Sequence, residues 1–171
     1  MSSSQALGTF EPRGDHIDVR FERHYPRPVE TVWSALTEPE RLADWMGVSK
    51  IEPRLGGRIE LMVDGPHPMT GQITEWDPPR VLEFTWSNTH APDSLVRYEL
   101  SRAADGGTRL IFTHQGMPYE NSALMLPGWH DFLARLGDWL AGEPPSGDMS
   151  YRKMQSAYVE HYKLTGVRLD P

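Results

Sequence analysis

The chain has 171 residues, no cysteine and a formal net charge of −7. That charge argues against a general nucleic-acid binder, which needs clustered Lys and Arg against phosphate, and against adsorption to an anionic membrane. Without cysteine there is no disulfide, no thiolate nucleophile and no Cys-ligated zinc, which fits a reducing compartment. No apolar run approaches the roughly 18 residues of a membrane span, and the opening MSSSQALGTFEPRGD lacks the regions of a signal peptide, so the expectation is a cytoplasmic protein. Six Trp, six Tyr and five Phe within 38% hydrophobic content suit one domain with an aromatic-rich interior.

Residues 1–13 are Ser-rich, then carry Pro12, and read as a flexible N-terminal arm. From Asp15 to Tyr25 the pattern alternates, with Ile17, Val19 and Phe21 on one side and Asp18, Arg20 and Glu22 on the other, as in a half-buried strand. Pro26 and Pro28 end it and open a short helix whose Val29, Val32, Trp33 and Leu36 share a face. A second short helix follows, with Thr37 as N-cap, Pro39 in the first turn and Glu40 at capping-box spacing, turning Leu42 and Trp45 inward.

Alternating segments then follow, separated by Gly56-Gly57, Asp64-Gly65-Pro66, Asp77-Pro78-Pro79, Ala91-Pro92-Asp93 and Asp105-Gly106-Gly107. Parity places Leu82, Phe84 and Trp86 on one face, and likewise Val96, Tyr98 and Leu100, then Leu110, Phe112 and His114. The other face carries Glu83, Arg97, Glu99 and Arg109, paired most simply as Glu83/Arg97 and Glu99/Arg109. One wet and one dry face describe an antiparallel sheet covered on one side.

The cover is the stretch 124–142. Trp129, Phe132, Leu133, Leu136, Trp139 and Leu140 form the apolar stripe of a long amphipathic helix, with Pro127 in its first turn and Gly142 at its end. Asp131 and Arg135 are an i, i+4 pair placed on its solvent side, and His130 falls off the stripe toward the surface. After the break EPPSGD, the segment with Met154, Ala157, Tyr158, His161 and Tyr162 at helical spacing reads as a C-terminal helix docked on the outside of the domain or on a partner. The expected division is an arm (1–13), one domain (14–142) and a C-terminal extension with a short helix (143–171).

The segments VWSALTEPERLADWMG, PRLGGRIE, GQITEWDPPRVLEFTW, GGTRLIFTHQGM and GWHDFLARLGDWLAGEP, in that order, resemble the domain named for the C-terminal half of the activator of Hsp90 ATPase. That domain belongs to the Bet v 1/START-like (SRPBCC) superfamily. The resemblance implies an α+β helix-grip fold: a curved antiparallel sheet wrapped around a long C-terminal helix, with two short helices after the first strand. It carries over no active site, since members include a co-chaperone, hormone and lipid carriers, and aromatases and cyclases.

The dry face suggests a ligand cavity between helix and sheet for a small apolar or aromatic molecule. Its candidate lining is Trp33, Trp45, Trp86, Tyr98, Phe112, His114, Trp129, Phe132, Leu133 and Leu136, with Met62 and Met125 as adaptable filler. Each of these residues has the plainer role of filling a core. An enzyme using the same cavity for cyclisation, dehydration or hydrolysis is the alternative, with His114 and Tyr98 as its acid/base candidates. A chaperone- or regulator-interaction module is a third option, and a homodimer is open through the same surfaces. Seven histidines without an i, i+4 pair give metal binding no support, and no cofactor motif occurs.

Overall fold

The structure, a computed structural model, describes residues 6–63, 65–145 and 151–169. The strands are β1 (Thr9–Arg13), β2 (His16–Tyr25), β3 (Ser49–Ile51), β4 (Arg58–Leu61), β5 (Met69–Asp77), β6 (Val81–Trp86), β7 (Ser94–Arg102) and β8 (Thr108–Pro118). They form one antiparallel sheet in the order β1-β2-β8-β7-β6-β5-β4-β3. The early strand β2 pairs with the last strand β8, setting Phe21 opposite Phe112. The strands of the β3–β8 series follow as hairpin neighbours.

The parity reading holds through the centre of the sheet: Leu82, Phe84, Trp86, Val96, Tyr98, Leu100, Leu110, Phe112 and His114 are all buried. On the opposite face Arg97 gathers Glu75, Glu83 and Glu99 at 2.5, 2.8 and 2.8 Å. Glu99 was expected to pair with Arg109. It lies opposite Ile111 instead and bonds along its own strand to Arg97, while Arg109 reaches across to Glu22 of β2 at 2.6 Å.

Between β2 and β3 lie α1 (Val29–Thr37) and α2 (Pro39–Trp45). They bury the predicted faces, and the Trp45 indole N–H donates to Ala35 O at 3.0 Å, tying one helix to the other. The capping box is a correction. Only Glu38 separates the two helices, so it takes the N-cap position without a side-chain capping bond, and Thr37 spends its hydroxyl on Trp33 O of its own helix at 2.8 Å.

The long helix α3 (Ser122–Leu140) begins two residues before the predicted stretch, after a 3₁₀ turn over Tyr119–Asn121. Pro127 therefore stands inside the helix, not in its first turn. A proline there supplies no N–H to the carbonyl four residues back, at a cost of about 3 kcal/mol in an ordinary helix. The carbonyl released is that of Ala123, and Gln155 Nε2 donates to it at 3.0 Å. The other end closes as the sequence suggests: Gly142, at φ 77°, bonds Trp139 O, and Glu143 N bonds Asp138 O, the paired pattern of a left-handed glycine cap. Arg27 Nε adds a 2.7 Å bond to Leu140 O.

Gln155 belongs to α4 (Tyr151–Tyr162), which packs on α3 and ties it to the segment at Gly8. Tyr158 is fully buried. Its hydroxyl accepts the Gly8 N–H at 2.7 Å and lies 2.9 Å from His130 Nδ1, while the Tyr162 hydroxyl donates to Gly8 O at 2.7 Å. Two expectations are corrected here. Residues 9–13, read as part of an arm, form the edge strand β1 on β2; residues 1–5 of that arm lie outside the described residues. His130, read as a surface residue, is buried because α4 covers its side of α3.

Candidate functional site

The space between α3 and the middle of the sheet is filled. Trp45, Tyr98, Phe112, His114, Leu133 and Leu136 are buried there. Trp129 sits at the centre of the aromatic packing, its ring 4.3 Å from Phe112, 5.1 Å from Trp86 and 5.9 Å from Phe132. Trp33 turns to Trp76, centroid to centroid 5.2 Å, on the α1 side. Met62 is 39% exposed and does not line the interior. Parity explains that correction: Ile59 and Leu61 of β4 point inward, so residue 62 points out.

Open space lies toward the N-terminal half of α3, where a groove of about 380 Å³ runs between the helix and the loop after β6. Leu124, Met125, Gly128, Phe132 and Arg135 present one helix face to it, as offsets of 1, 4, 8 and 11 require. Trp86 and Trp129 form its inner wall. Met46 and Val63 close one side, and Asn88, His90, Asp131 and Tyr151 supply polar groups. Of the sequence candidates the structure thus brings Trp86, Met125, Trp129 and Phe132 to the groove, and leaves Trp33, Trp45, Tyr98, Phe112, His114, Leu133 and Leu136 in packed positions.

Gly128 went unremarked in the sequence, yet it is the floor. A Cβ built on it would meet no atom within 4 Å, so the open volume begins at the helix backbone itself. Glycine inside a helix costs about 1 kcal/mol relative to alanine. A mid-helix glycine between Leu124 and Phe132 on one face was the readable signal. Asn88 and Arg135 carried no comparable mark.

His114 is held from both sides. The Trp129 indole N–H donates to Nδ1 at 3.0 Å, which places the neutral ring's proton on Nε2, facing Ser94 Oγ at 2.7 Å. Ser94 then gives its own hydrogen to Ala91 O at 2.8 Å or Trp86 O at 3.0 Å. The imidazole is therefore the donor and the serine the acceptor, the reverse of a base activating a nucleophile. Burial pulls the His114 pKa down to about 3. Burial also pushes the Tyr98 phenol well above its ordinary range, and its ring packs between Phe84 and Phe112. The pair shows no acid/base constellation.

The groove wall holds two buried N–H groups with no acceptor among the described residues, Trp86 Nε1 and Arg135 Nε. An unmet buried donor costs roughly 1–3 kcal/mol. The Asp131 carboxylate stays 4.0 Å from Arg135 Nη1, beyond hydrogen-bond range. Asn88 Oδ1 accepts from Ala91 N at 2.8 Å, which fixes the amide with its nitrogen left as a donor. Asp131 and Arg135 were read as a solvent-side pair; they line the groove instead. Among the described residues no group of three or more His, Asp and Glu side chains could hold a metal ion, and no helix is long and apolar enough to cross a membrane.

A curved antiparallel sheet gripping a long helix, with a groove against that helix, defines a START-like (Bet v 1-like) protein. Residues 26–141 match the family described as Activator of Hsp90 ATPase homolog 1-like protein, and the chain belongs to that family. Among solved structures it is similar to CalU16 from Micromonospora echinospora, at 29% identity and a TM-score of 0.74 over 92% of this chain and 94% of that one. A protein from Bordetella parapertussis is 26% identical with a TM-score of 0.68, over 98% and 96% of the two chains. DynU16, ascribed to the dynemicin biosynthetic locus, is 28% identical with a TM-score of 0.69, over 80% of this chain and 51% of that one. No curated protein sequence matches the chain.

Proposed function

We propose that the protein binds a small apolar or aromatic molecule non-covalently in the groove over Gly128. The observation that carries this reading is an open volume of about 380 Å³ walled by Trp86, Trp129, Phe132 and Met125, next to an interior that is otherwise packed. A volume of a few hundred Å³ with aromatic walls and polar groups at its rim suits a one- or two-ring ligand. Met46 and Met125 let the walls adapt to its shape. The family's fold and a relative ascribed to a natural-product locus support the same reading. The pinned, inverted Ser94–His114 pair supports binding over catalysis.

The test is native mass spectrometry of the purified protein challenged with 2-naphthol, beside a Gly128→Leu variant whose side chain has room to enter the groove. Wild type should hold one naphthol and the variant none. A variant that binds as wild type does would place the ligand elsewhere and overturn the reading.

A further inference from the structure

Beside the Asp131 carboxylate, the residues lining the groove carry several donors. Two N–H groups on its walls, Trp86 Nε1 and Arg135 Nε, are buried with no acceptor among the described residues, and the Asn88 amide nitrogen adds a third donor once its oxygen is fixed to Ala91. The guanidinium is the contrast to Arg97, whose nitrogens bond three carboxylates on the far face of the sheet. Arg135 has instead one carboxylate at 4.0 Å, and Asp131 is engaged in interactions of its own.

A groove that turned only apolar walls to its ligand would have no use for an under-bonded guanidinium half-buried at its edge. An ionised oxygen in the groove would pair with the partly exposed Arg135 guanidinium while its ring lies over Gly128 and against Trp129. Guanidinium matches carboxylate in geometry as well as charge, since its fork presents parallel N–H groups. We propose that the natural ligand is an aromatic or polycyclic molecule bearing an anionic oxygen, a carboxylate in the simplest form, and that Arg135 is the residue that selects it. This rests on the groove being the binding site, and it goes further by naming the ligand's charge and the side chain that reads it.

The experiment is an NMR titration of the full chain with 2-naphthoate and, separately, with 2-naphthamide, which has the same rings and no charge. Amide and indole N–H signals are followed at neutral pH in wild type, Arg135→Gln, Arg135→Lys and Asp131→Asn. Wild type should bind naphthoate about tenfold more tightly than naphthamide, the scale of a charge-assisted hydrogen bond at a partly exposed site. Naphthoate alone should shift the backbone amide signals around Arg135. Arg135→Gln should abolish the preference by weakening naphthoate while leaving naphthamide unchanged. Arg135→Lys should fall between, because it keeps the charge and loses the fork, and Asp131→Asn should tighten naphthoate by removing a competing carboxylate.

The spectra themselves show whether each variant is folded, and the lysine variant carries the test if the glutamine one is not. Equal affinity for the two probes, both shifting Gly128, would overturn the anion inference and leave the groove as an apolar site. If neither probe shifts Gly128 in wild type, the groove reading falls and this inference with it.

Discussion

Replacing Gly128 by alanine should make the protein more stable and a worse binder at once. A Cβ at this position meets nothing within 4 Å, so no steric penalty offsets the helix-propensity gain of about 0.5–1 kcal/mol for Gly→Ala inside a helix. For a domain of this length that gain is a rise in melting temperature of roughly 1–4 °C. The new methyl occupies the groove floor and takes away about one methylene's worth of ligand contact, near 0.8 kcal/mol or a few-fold in affinity for 2-naphthol. Differential scanning calorimetry and a naphthol titration on the same sample read both effects. A loss of stability would mean the space over Gly128 is packed and the groove misplaced. Unchanged naphthol affinity would mean the ligand does not touch α3 there.

The Pro127–Gln155 relation should appear as a coupling. Gln155→Ala should cost about 1–2 kcal/mol because it strips the side-chain donor that Ala123 O receives, but much less in a Pro127→Ala background, where residue 127 supplies an N–H itself. Additive effects in denaturant titration would refute the account. Acidification should destabilise the fold through two buried histidines. Burial pulls His114 to about 3 and, with the Arg23 charge adding to the effect, His130 to about 4, against 6.5 in the unfolded chain. Between the folded and unfolded values the unfolded chain binds two protons that the native state does not. Stability is therefore full above pH 6.5 and falls below it, by about 2–3 kcal/mol per pH unit near pH 5. His130→Gln should remove about half of that slope in urea melts, and an unchanged slope would show His130 to be accessible to protons in the folded state.

The fold was legible where hydrophobic period decides the outcome. Strands with a clean two-residue alternation, such as those of Phe84, Tyr98 and Phe112, and the stripe of Trp129, Leu133 and Leu136 came out where their pattern puts them. What stayed hidden depends on which element covers which. His130 read as surface until α4 covered it, and α4 itself is weakly apolar because it docks through tyrosine hydroxyls as much as through area. β1 was invisible because an edge strand pairs by its backbone and needs no alternation, and its own Pro12 argued against it. The start of α3 was misplaced because proline is more often read as an opening than as an interruption, and only the Gln155 bond shows how the interruption is accommodated.

The site was legible in half. Aromatic residues on the dry face marked the region, but most of them fill the core. The groove is defined by an absence of side chain at Gly128 and by loop residues Asn88 and His90, whose position no periodicity encodes. Met62 was the reverse error: its chemistry suited a cavity wall while its parity pointed to solvent.

The central claim, that the groove over Gly128 is a binding site, is tested most directly by a crystal structure of the protein grown with 2-naphthol. The account predicts the naphthol rings lying on the Gly128 backbone, flanked by Trp129 and Phe132. Naphthol ordered at another surface, with the groove empty or closed by its own side chains, would contradict it.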